Sequence, residues 1–257
     1  MSDVLPSSTV VLLRDGEHGL ETWMMRRHRN SRFMPSLWVF PGGRVDEADL
    51  MSEVLNPADT RPDGFGFTAE ESIRRQVAAI RETYEESGVW LGQCPLKDGA
   101  RDALLHGATL SSVVLGPVSF ESIVPWSRWR TPVGRPRRYD AAFYVAAAPQ
   151  GVTSLAGEEM EEGQWVDVRE TLRQGGRPLA PPTWATLKQL ALCDDLRAVM
   201  TRAGTRNLRL VMPVRLDGPE LQFALPGHPR HPMPAREDLP WGAVWQDGRW
   251  EDLQNPV

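Results

Sequence analysis

Short apolar runs separated by turn residues open the chain. "STVVLLRD" (residues 8–15) predicts a buried strand, and "LETWMMRR" (residues 20–27) predicts a second one. The glycine-containing segment "DGEHG" between them predicts the turn of a hairpin. "LWVFPGGRVD" (residues 37–46) predicts a strand that enters a Pro-Gly-Gly turn. Residues 44–68 show no sustained period, so we expect an inserted loop with one helical turn there.

The clearest periodic segment is "TAEESIRRQVAAIRETYEESG", residues 68–88. Thr68 followed three residues later by Glu71 is typical of a capping box at the start of a helix. Ser87 and Gly88 are typical of a helix end. One buried stripe is predicted from the residues Ile73, Val77, Ile80 and Tyr84.

Three carboxylates, Glu82, Glu85 and Glu86, fall on the face opposite this stripe. They lie near the negative end of the helix dipole, and like charges at i,i+4 repel, so local stability does not explain them. A hard-oxygen site for Mg²⁺ or Mn²⁺ explains them, because the ion would cancel the repulsion. Arg81 stands four residues before Glu85 and is close enough to hold that carboxylate. A solvated acidic surface is the alternative interpretation.

The "FPGG" turn at residues 40–43 is a second candidate for contact with a ligand. Glycine lets a backbone approach a ligand closely. A glycine turn beside a divalent-metal site indicates metal-assisted attack of water on a phosphoanhydride.

The rest of the chain alternates between strand and helix patterns, which predicts a mixed α/β class. The predicted elements are a helix or loop at 101–114, strands at 119–132 and 137–149 joined by a basic turn, a strand running into a short helix at 161–175, one longer helix at 181–204, a hairpin within 206–227, and an irregular surface tail after Pro226.

Composition and charge limit the partners and the compartment that we expect for this protein. The 257 residues are 41% hydrophobic and 25% charged, with a net charge of −5, which excludes a broadly basic surface for nucleic acid. Cys94 and Cys193 are too few for a disulfide framework and favour a reducing compartment. No segment approaches the roughly 18 apolar residues of a membrane span, and the first residues lack a basic signal-peptide region. We therefore expect a cytoplasmic protein that binds neither nucleic acid nor membrane.

"PGGRVDEAD" followed by "RETYEESGV" resembles the Nudix box. That pattern is a glycine, five residues, Glu, seven residues, then Arg-Glu-apolar-x-Glu-Glu-x-Gly-apolar. Gly43 matches the first glycine, and residues 81–89 match the second half, with Thr83 at the apolar position. Gly43 and Arg81 are 38 positions apart instead of the family's 14, so the box contains an insertion of 24 residues.

The insertion leaves the first acid of the box unassigned. Counting forward from the glycine gives Asp49, whereas counting back from the arginine gives Ile73. Glu70 or Glu71 could replace it.

Further matches resemble the coenzyme A diphosphatase branch of the Nudix hydrolases, which carries a long insertion in the box. They are "RFMPSLWVFPGG", "RWRTP", "RRYDAAFY", "GEEMEEGQWV", "PPTWATL" and "LPGHP". The resemblance implies a Nudix-type α/β/α sandwich with a mixed β-sheet, plus a helical and β-hairpin C-terminal extension. We expect a catalytic domain over residues 1–175, with the insertion at about 44–68, and an extension over 176–257 packed on the same domain.

The resemblance also implies roles for individual residues. The metal ligands would be the Gly43 carbonyl, Glu82, Glu85 and Glu86. The catalytic residues would be Glu85, Arg81 and Glu159, with Glu159 as general base and Glu158, Glu161 and Glu162 as alternatives for the base. The substrate would contact Arg27 and Arg32, which partly match a coenzyme A recognition motif. Arg137 and Arg138 in the basic turn would bind phosphates, or else form a solvated turn.

The expected function is divalent-metal-dependent hydrolysis of the pyrophosphate bond in nucleoside diphosphate-linked compounds. Coenzyme A or acyl-coenzyme A is the first substrate class, and ADP-ribose or a nucleotide sugar is the second. A non-catalytic nucleotide-binding regulatory module is the rival. Dimers are frequent in the family, and Trp241, Trp245 and Trp250 are candidates to seal one.

Overall fold

The computed structural model describes residues 3–31, 35–50, 63–149, 154–155 and 160–253. The strands are β1 (Val4–Asp15), β2 (Leu20–Arg27), β3 (Trp38–Val39), β4 (Gly42–Arg44), β5 (Val124–Arg130), β6 (Arg138–Ala147), β7 (Met160–Asp167), β8 (Val214–Leu216), β9 (Leu221–Ala224), β10 (Gly242–Gln246) and β11 (Arg249–Asp252). The helices are α1 (Ala69–Ser87), α2 (Ala100–Leu105), α3 (Leu110–Val113), α4 (Val168–Gln174), α5 (Pro181–Leu190) and α6 (Leu196–Ala203). The helical turn expected in the insertion is a 3₁₀ turn at Glu47–Asp49.

Within the described residues, seven strands form one mixed sheet around β1. β1 runs parallel to β6, from Val4 opposite Arg138 to Leu13 opposite Ala147. Its other edge pairs antiparallel with β4 and then with β2. β2 continues to β3 and β7, and β6 continues to β5. The predicted hairpins β1–β2 and β5–β6 are confirmed.

Alternate side chains of β1 enter two separate cores, because neighbours on a strand point to opposite faces of the sheet. Val10 and Leu12 pack in a core that includes residues of α1, α2 and α3. Val11 and Leu13 pack in a second core with residues of α5, α6 and the C-terminal strands. The α/β/α sandwich is therefore confirmed. The second core joins residues on both sides of position 175, and the domain boundary itself stays a prediction.

The capping expected for α1 is confirmed at both ends. The Thr68 side chain accepts from the Glu71 backbone N–H, and the Glu71 side chain accepts from the Thr68 N–H. Gly88 ends the helix with a left-handed φ of 74°. Thr83, at the apolar position of the box, is fully buried, and its hydroxyl donates to the Ala79 carbonyl at 2.6 Å. The hydroxyl is thus satisfied inside the core.

The prediction of one long helix over 181–204 is wrong. α5 ends at Leu190 and α6 begins at Leu196. The Asp195 side chain accepts from the Ala198 backbone N–H at 2.7 Å and caps the second helix. An aspartate that bonds forward to the backbone favours a new helix start over continuation of the old one.

The prediction of an irregular tail after Pro226 is wrong for the residues of β10 and β11. β10 pairs with β9 and β11 pairs with β10, so the tail completes a second, antiparallel sheet with the predicted β8–β9 hairpin. Trp250 is buried against Phe223 and Trp245, and its indole N–H donates to the Leu179 carbonyl at 2.8 Å. Trp241 donates to the Gly227 carbonyl. These tryptophans stabilise the fold internally, and a dimer stays a prediction.

Among the described helices, none combines the length and the apolar character that a transmembrane helix needs.

Candidate active site

The carboxylate face of α1 packs against the glycine turn. The Gly42 backbone N–H donates to Glu86 Oε2 at 2.8 Å. A Cβ on Gly43 would overlap the Glu82 carboxylate, so a larger residue there would displace that carboxylate from the turn. Glu82 and Glu85 side chains are only 16% and 15% exposed. The alternative of a solvated acidic surface is therefore wrong for these two residues.

Arg81 makes a two-pronged ion pair with Asp49. Its Nε donates to Asp49 Oδ1 at 2.8 Å and its Nη2 to Oδ2 at 3.1 Å. The Asp49 side chain is almost completely buried, and it also accepts from the Asp46 backbone N–H at 2.7 Å. Asp49, six positions after Gly43, is thus the acidic residue that the structure pairs with the arginine of the box.

The two proposed replacements for that acid lie elsewhere. Glu70 pairs with Arg74 at 2.9 Å, and Glu71 caps α1. Both belong to the first turn of the helix, about three turns before Arg81.

The Nη1 atom of Arg81 lies between two carboxylates of the candidate site. It donates to Glu82 Oε1 at 3.0 Å and to Glu85 Oε1 at 3.3 Å. The predicted contact between Arg81 and Glu85 is confirmed. One guanidinium therefore links the 3₁₀ turn of the insertion to two of the three carboxylates.

Burial and crowding shift the proton affinities of this cluster. Burial, added to the repulsion from Glu85, raises the pKa of Glu82 to about 7 even though Arg81 opposes the change. Burial also raises the pKa of Glu85. Burial alone would lower the pKa of Arg81, but the Asp49 hydrogen bond and the carboxylate charges raise it above its ordinary value. The site holds more negative charge than Arg81 alone neutralises.

The donor set fits a hard divalent cation. Carboxylate oxygens are the ligands that Mg²⁺ takes from proteins, and Glu82 and Glu85 already point at one cationic nitrogen. Among the described residues, no three acidic, histidine or cysteine side chains already converge as a complete metal-ligand set. The predicted metal ligands are the Gly43 carbonyl, Glu82, Glu85 and Glu86, and their part in metal binding stays a prediction.

Other predicted site residues lie outside this cluster or outside the described residues. Arg32 and Glu159 fall on residues that the structure does not describe. Arg27 ends β2, where its Nη2 donates to Ser31 Oγ at 3.2 Å. Glu161 accepts from the Arg29 backbone N–H at 2.9 Å and pairs with Arg26 at 3.2 Å. Their roles in substrate binding and catalysis stay predictions.

The basic turn between β5 and β6 ends at Arg138, the first residue of β6, four residues before the β6 residue that is level with Gly43. Gly43 pairs with Ser8, which pairs with Ala142, so Arg138 lies about 13 Å away along the strands. Arg138 donates to the Thr131 carbonyl at 3.1 Å, and Arg137 is exposed. The structure does not bring these two arginines beside the carboxylates, and their contact with phosphate stays a prediction.

Two neighbouring arginines are engaged with the protein itself. Arg128 and Arg130 both donate to Asp140, at 2.7 and 2.6 Å. Trp126 and Trp129 are buried in the second core, as expected for tryptophans in strands. These residues hold the β5–β6 hairpin in place.

The sequence did not predict one contact at the end of α1, which comes from another helix. Arg101 of α2 donates from Nε to the Glu85 carbonyl at 3.1 Å. No local pattern connects positions 85 and 101, because the contact arises from the packing of α2 on α1.

Comparison with known proteins identifies the family of this chain. A family model described as the NUDIX domain matches residues 4–187, which is most of the chain. This chain belongs to the Nudix family.

Named relatives share moderate identity with the chain. Acyl-coenzyme A diphosphatase NUDT19 of Gallus gallus is 29% identical over 249 residues, covering 73% of this chain and 65% of that protein. Acyl-coenzyme A diphosphatase NUDT19 of Homo sapiens is 24% identical over 231 residues, covering 67% and 61%. The chain spans 56% to 66% of the length of such curated relatives. A crystal structure of a NUDIX hydrolase from Alicyclobacillus acidocaldarius is 26% identical with a TM-score of 0.64, covering 81% of this chain and 98% of that one.

Proposed function

We propose that this protein is a hydrolase of the pyrophosphate bond in nucleoside diphosphate-linked compounds and depends on a divalent metal. The observation that carries the proposal is the gathering of Glu82 and Glu85 around Arg81, with Glu86 bonded to the glycine turn. Mg²⁺ or Mn²⁺ bound there would supply Lewis acidity to the diphosphate oxygens.

The residues of the chain supply the remaining functions. Arg81 donates to Glu85 and holds its carboxylate. Glu85 would in turn help to hold the metal, which would supply the Lewis acidity that activates the water. Water forms a bond to one phosphorus, the bridging P–O bond breaks, and the proton of the water passes to a general base. Glu159 is the candidate for that base.

Coenzyme A or an acyl-coenzyme A is the first substrate class. Support comes from the relatives in Gallus gallus and Homo sapiens, both named acyl-coenzyme A diphosphatase. Hydrolysis of this substrate would yield adenosine bisphosphate and a phosphopantetheine or its thioester. Arg27 and Arg32 are the residues proposed to contact it.

A second candidate is a nucleotide-binding regulatory module without turnover. It is favoured by one observation, namely that the described acidic side chains do not already converge as a complete metal-ligand set.

A substrate panel separates the two candidates. The protein is incubated with Mn²⁺ or Mg²⁺ and coenzyme A, acyl-coenzyme A, ADP-ribose or nucleotide sugars, and products are identified by mass spectrometry. The hydrolase produces two phosphate monoesters from at least one substrate, and Glu85→Gln lowers the rate by about 100-fold or more, whereas Glu121→Gln, at an exposed site, does not. Saturable binding with no product would replace the hydrolase by the regulatory module.

A further inference from the structure

The last turn of α1 carries two of the three carboxylates, Glu85 and Glu86, and has no basic residue of its own. A helix C-terminus bears a partial negative charge, so cations stabilise it and carboxylates do not. The cation that meets this end comes from another helix. Arg101 of α2 donates from Nε to the Glu85 carbonyl at 3.1 Å.

The same guanidinium binds a second segment of the chain. Its Nη1 donates to Ser154 Oγ at 2.8 Å and its Nη2 to the Ser154 carbonyl at 2.7 Å. The Ser154 backbone N–H donates in turn to the Ser87 carbonyl at 2.9 Å. Arg101 therefore ties the end of α1 to the segment that precedes β7.

The helix end leaves room for this contact because it finishes in glycine. Gly88 adopts a left-handed conformation, and a Cβ there would lie 3.0 Å from Arg101 Nη1 and 3.2 Å from Ser154 Oγ. A side chain at this position would crowd the guanidinium. The glycine of the box thus serves both as the helix stop and as the place where Arg101 approaches.

We propose that Arg101 is a positioning residue for the carboxylate set. It contacts the backbone of Glu85 rather than the carboxylates, so it acts by fixing the last turn of α1 and the segment at Ser154. The inference rests on the proposed metal-dependent hydrolase, because it names a residue that orders the same site.

Arg169 provides a matched control. It donates from Nε to the Ala191 carbonyl at 3.1 Å and from Nη2 to the Cys193 carbonyl at 3.3 Å, at the end of α5. Loss of either arginine removes a cation from a helix C-terminus. Only Arg101 does so beside the carboxylates.

The test compares the full-length wild type with Arg101→Ala, Arg101→Lys and Arg169→Ala. Amide hydrogen exchange of the metal-free proteins is measured over residues 83–88, and Mn²⁺ affinity is measured by electron paramagnetic resonance. Arg101→Ala is expected to speed exchange in this turn and to weaken Mn²⁺ binding, each by about 5-fold, while lowering kcat more than it raises KM. Arg101→Lys keeps the charge and one donor nitrogen, so each change is expected to be smaller than in Arg101→Ala. Arg169→Ala changes neither.

The outcomes separate this inference from the proposed function. Wild-type exchange rates and wild-type Mn²⁺ affinity in Arg101→Ala would overturn the inference, whatever the change in melting temperature. A wild type that neither binds Mn²⁺ nor turns over substrate would overturn the proposed function, while hydrogen exchange still decides whether Arg101 orders the helix end.

Discussion

At the scale of single residues, the Arg81 guanidinium is shared by several carboxylates. It bonds to Asp49, Glu82 and Glu85, and its own side chain is only 10% exposed. A buried charge must be paired and hydrogen-bonded to be tolerated. Of these three partners, Asp49 is the one outside the proposed metal ligands, so it can be tested separately from them.

Replacement of Asp49 by Asn removes this charge while keeping the shape of the side chain. Arg81 would lose its two-pronged partner in a buried setting, and the free energy of unfolding is expected to fall by about 2 kcal/mol. Urea denaturation measures the change. The control is Glu47→Gln on the same 3₁₀ turn, where the residue is exposed. Equal stability of Asp49→Asn and the wild type would contradict the assigned pair.

In the metal-free protein, Glu82 is expected to make the free energy of unfolding depend on pH. Its pKa is about 7 in the folded protein, above the ordinary value of 4.5, so the folded state holds the proton more tightly than the unfolded chain. Its contribution to stability is complete below pH about 4.5 and is lost as the pH rises to about 7. Melting temperatures of the wild type should therefore fall across this window more than those of Glu82→Gln.

Two controls complete the pH experiment. Glu70→Gln, at an exposed position of the same helix, should retain the wild-type profile. Mn²⁺ at pH 8 should restore stability to the wild type more than to Glu82→Gln. Parallel profiles for the wild type and Glu82→Gln would exclude Glu82 as the titrating group.

At the scale of elements, signals confined to a few residues predicted the structure well. The capping box at Thr68 and the stop at Gly88 depend on contacts within about four positions. The apolar stripe of α1 was predicted from its spacing, and it packs in the first core, with Ile73 and Tyr84 only partly buried. The break between α5 and α6 had a comparable local signal in Asp195, which the apolar pattern on either side outweighed. Arg101 had no local signal, because its contact depends on tertiary packing.

The capping box yields a direct prediction for α1. Thr68→Ala removes the acceptor for the Glu71 backbone N–H, and the expected loss of stability is about 1 kcal/mol. Thr68→Ser should keep the wild-type stability, because serine caps equally well. Thermal denaturation measures both variants, and an unchanged Thr68→Ala protein would show that the cap contributes nothing to stability.

At the scale of the whole molecule, the C-terminal extension forms one face of the fold. Its side chains complete the second core against β1, whereas the weak periodicity of its Pro-rich tail predicted no strands there. The expected sandwich followed from the box and the strand patterns. The tail strands did not, because β10 and β11 are stabilised by pairing with β9 and by burial rather than by local propensity.

Replacement of Trp250 tests how much the C-terminal extension contributes to the stability of the fold. Trp250→Ala removes a buried indole and its hydrogen bond to Leu179, and the expected loss is about 4 kcal/mol, with increased aggregation on heating. Leu192→Ala, at a residue that is 61% exposed, is the control. A Trp250→Ala protein as stable as the control would mean that the extension is not part of the cooperative fold.

The central claim is that the carboxylate face of α1 binds a divalent cation, and Mn²⁺ titration followed by electron paramagnetic resonance tests it most directly. The wild type should bind Mn²⁺ saturably, and Glu82→Gln, Glu85→Gln and Glu86→Gln should each weaken binding by about 10-fold or more, with Glu121→Gln unchanged. Mn²⁺ affinities in all three variants equal to that of the wild type would place the metal elsewhere and contradict the account.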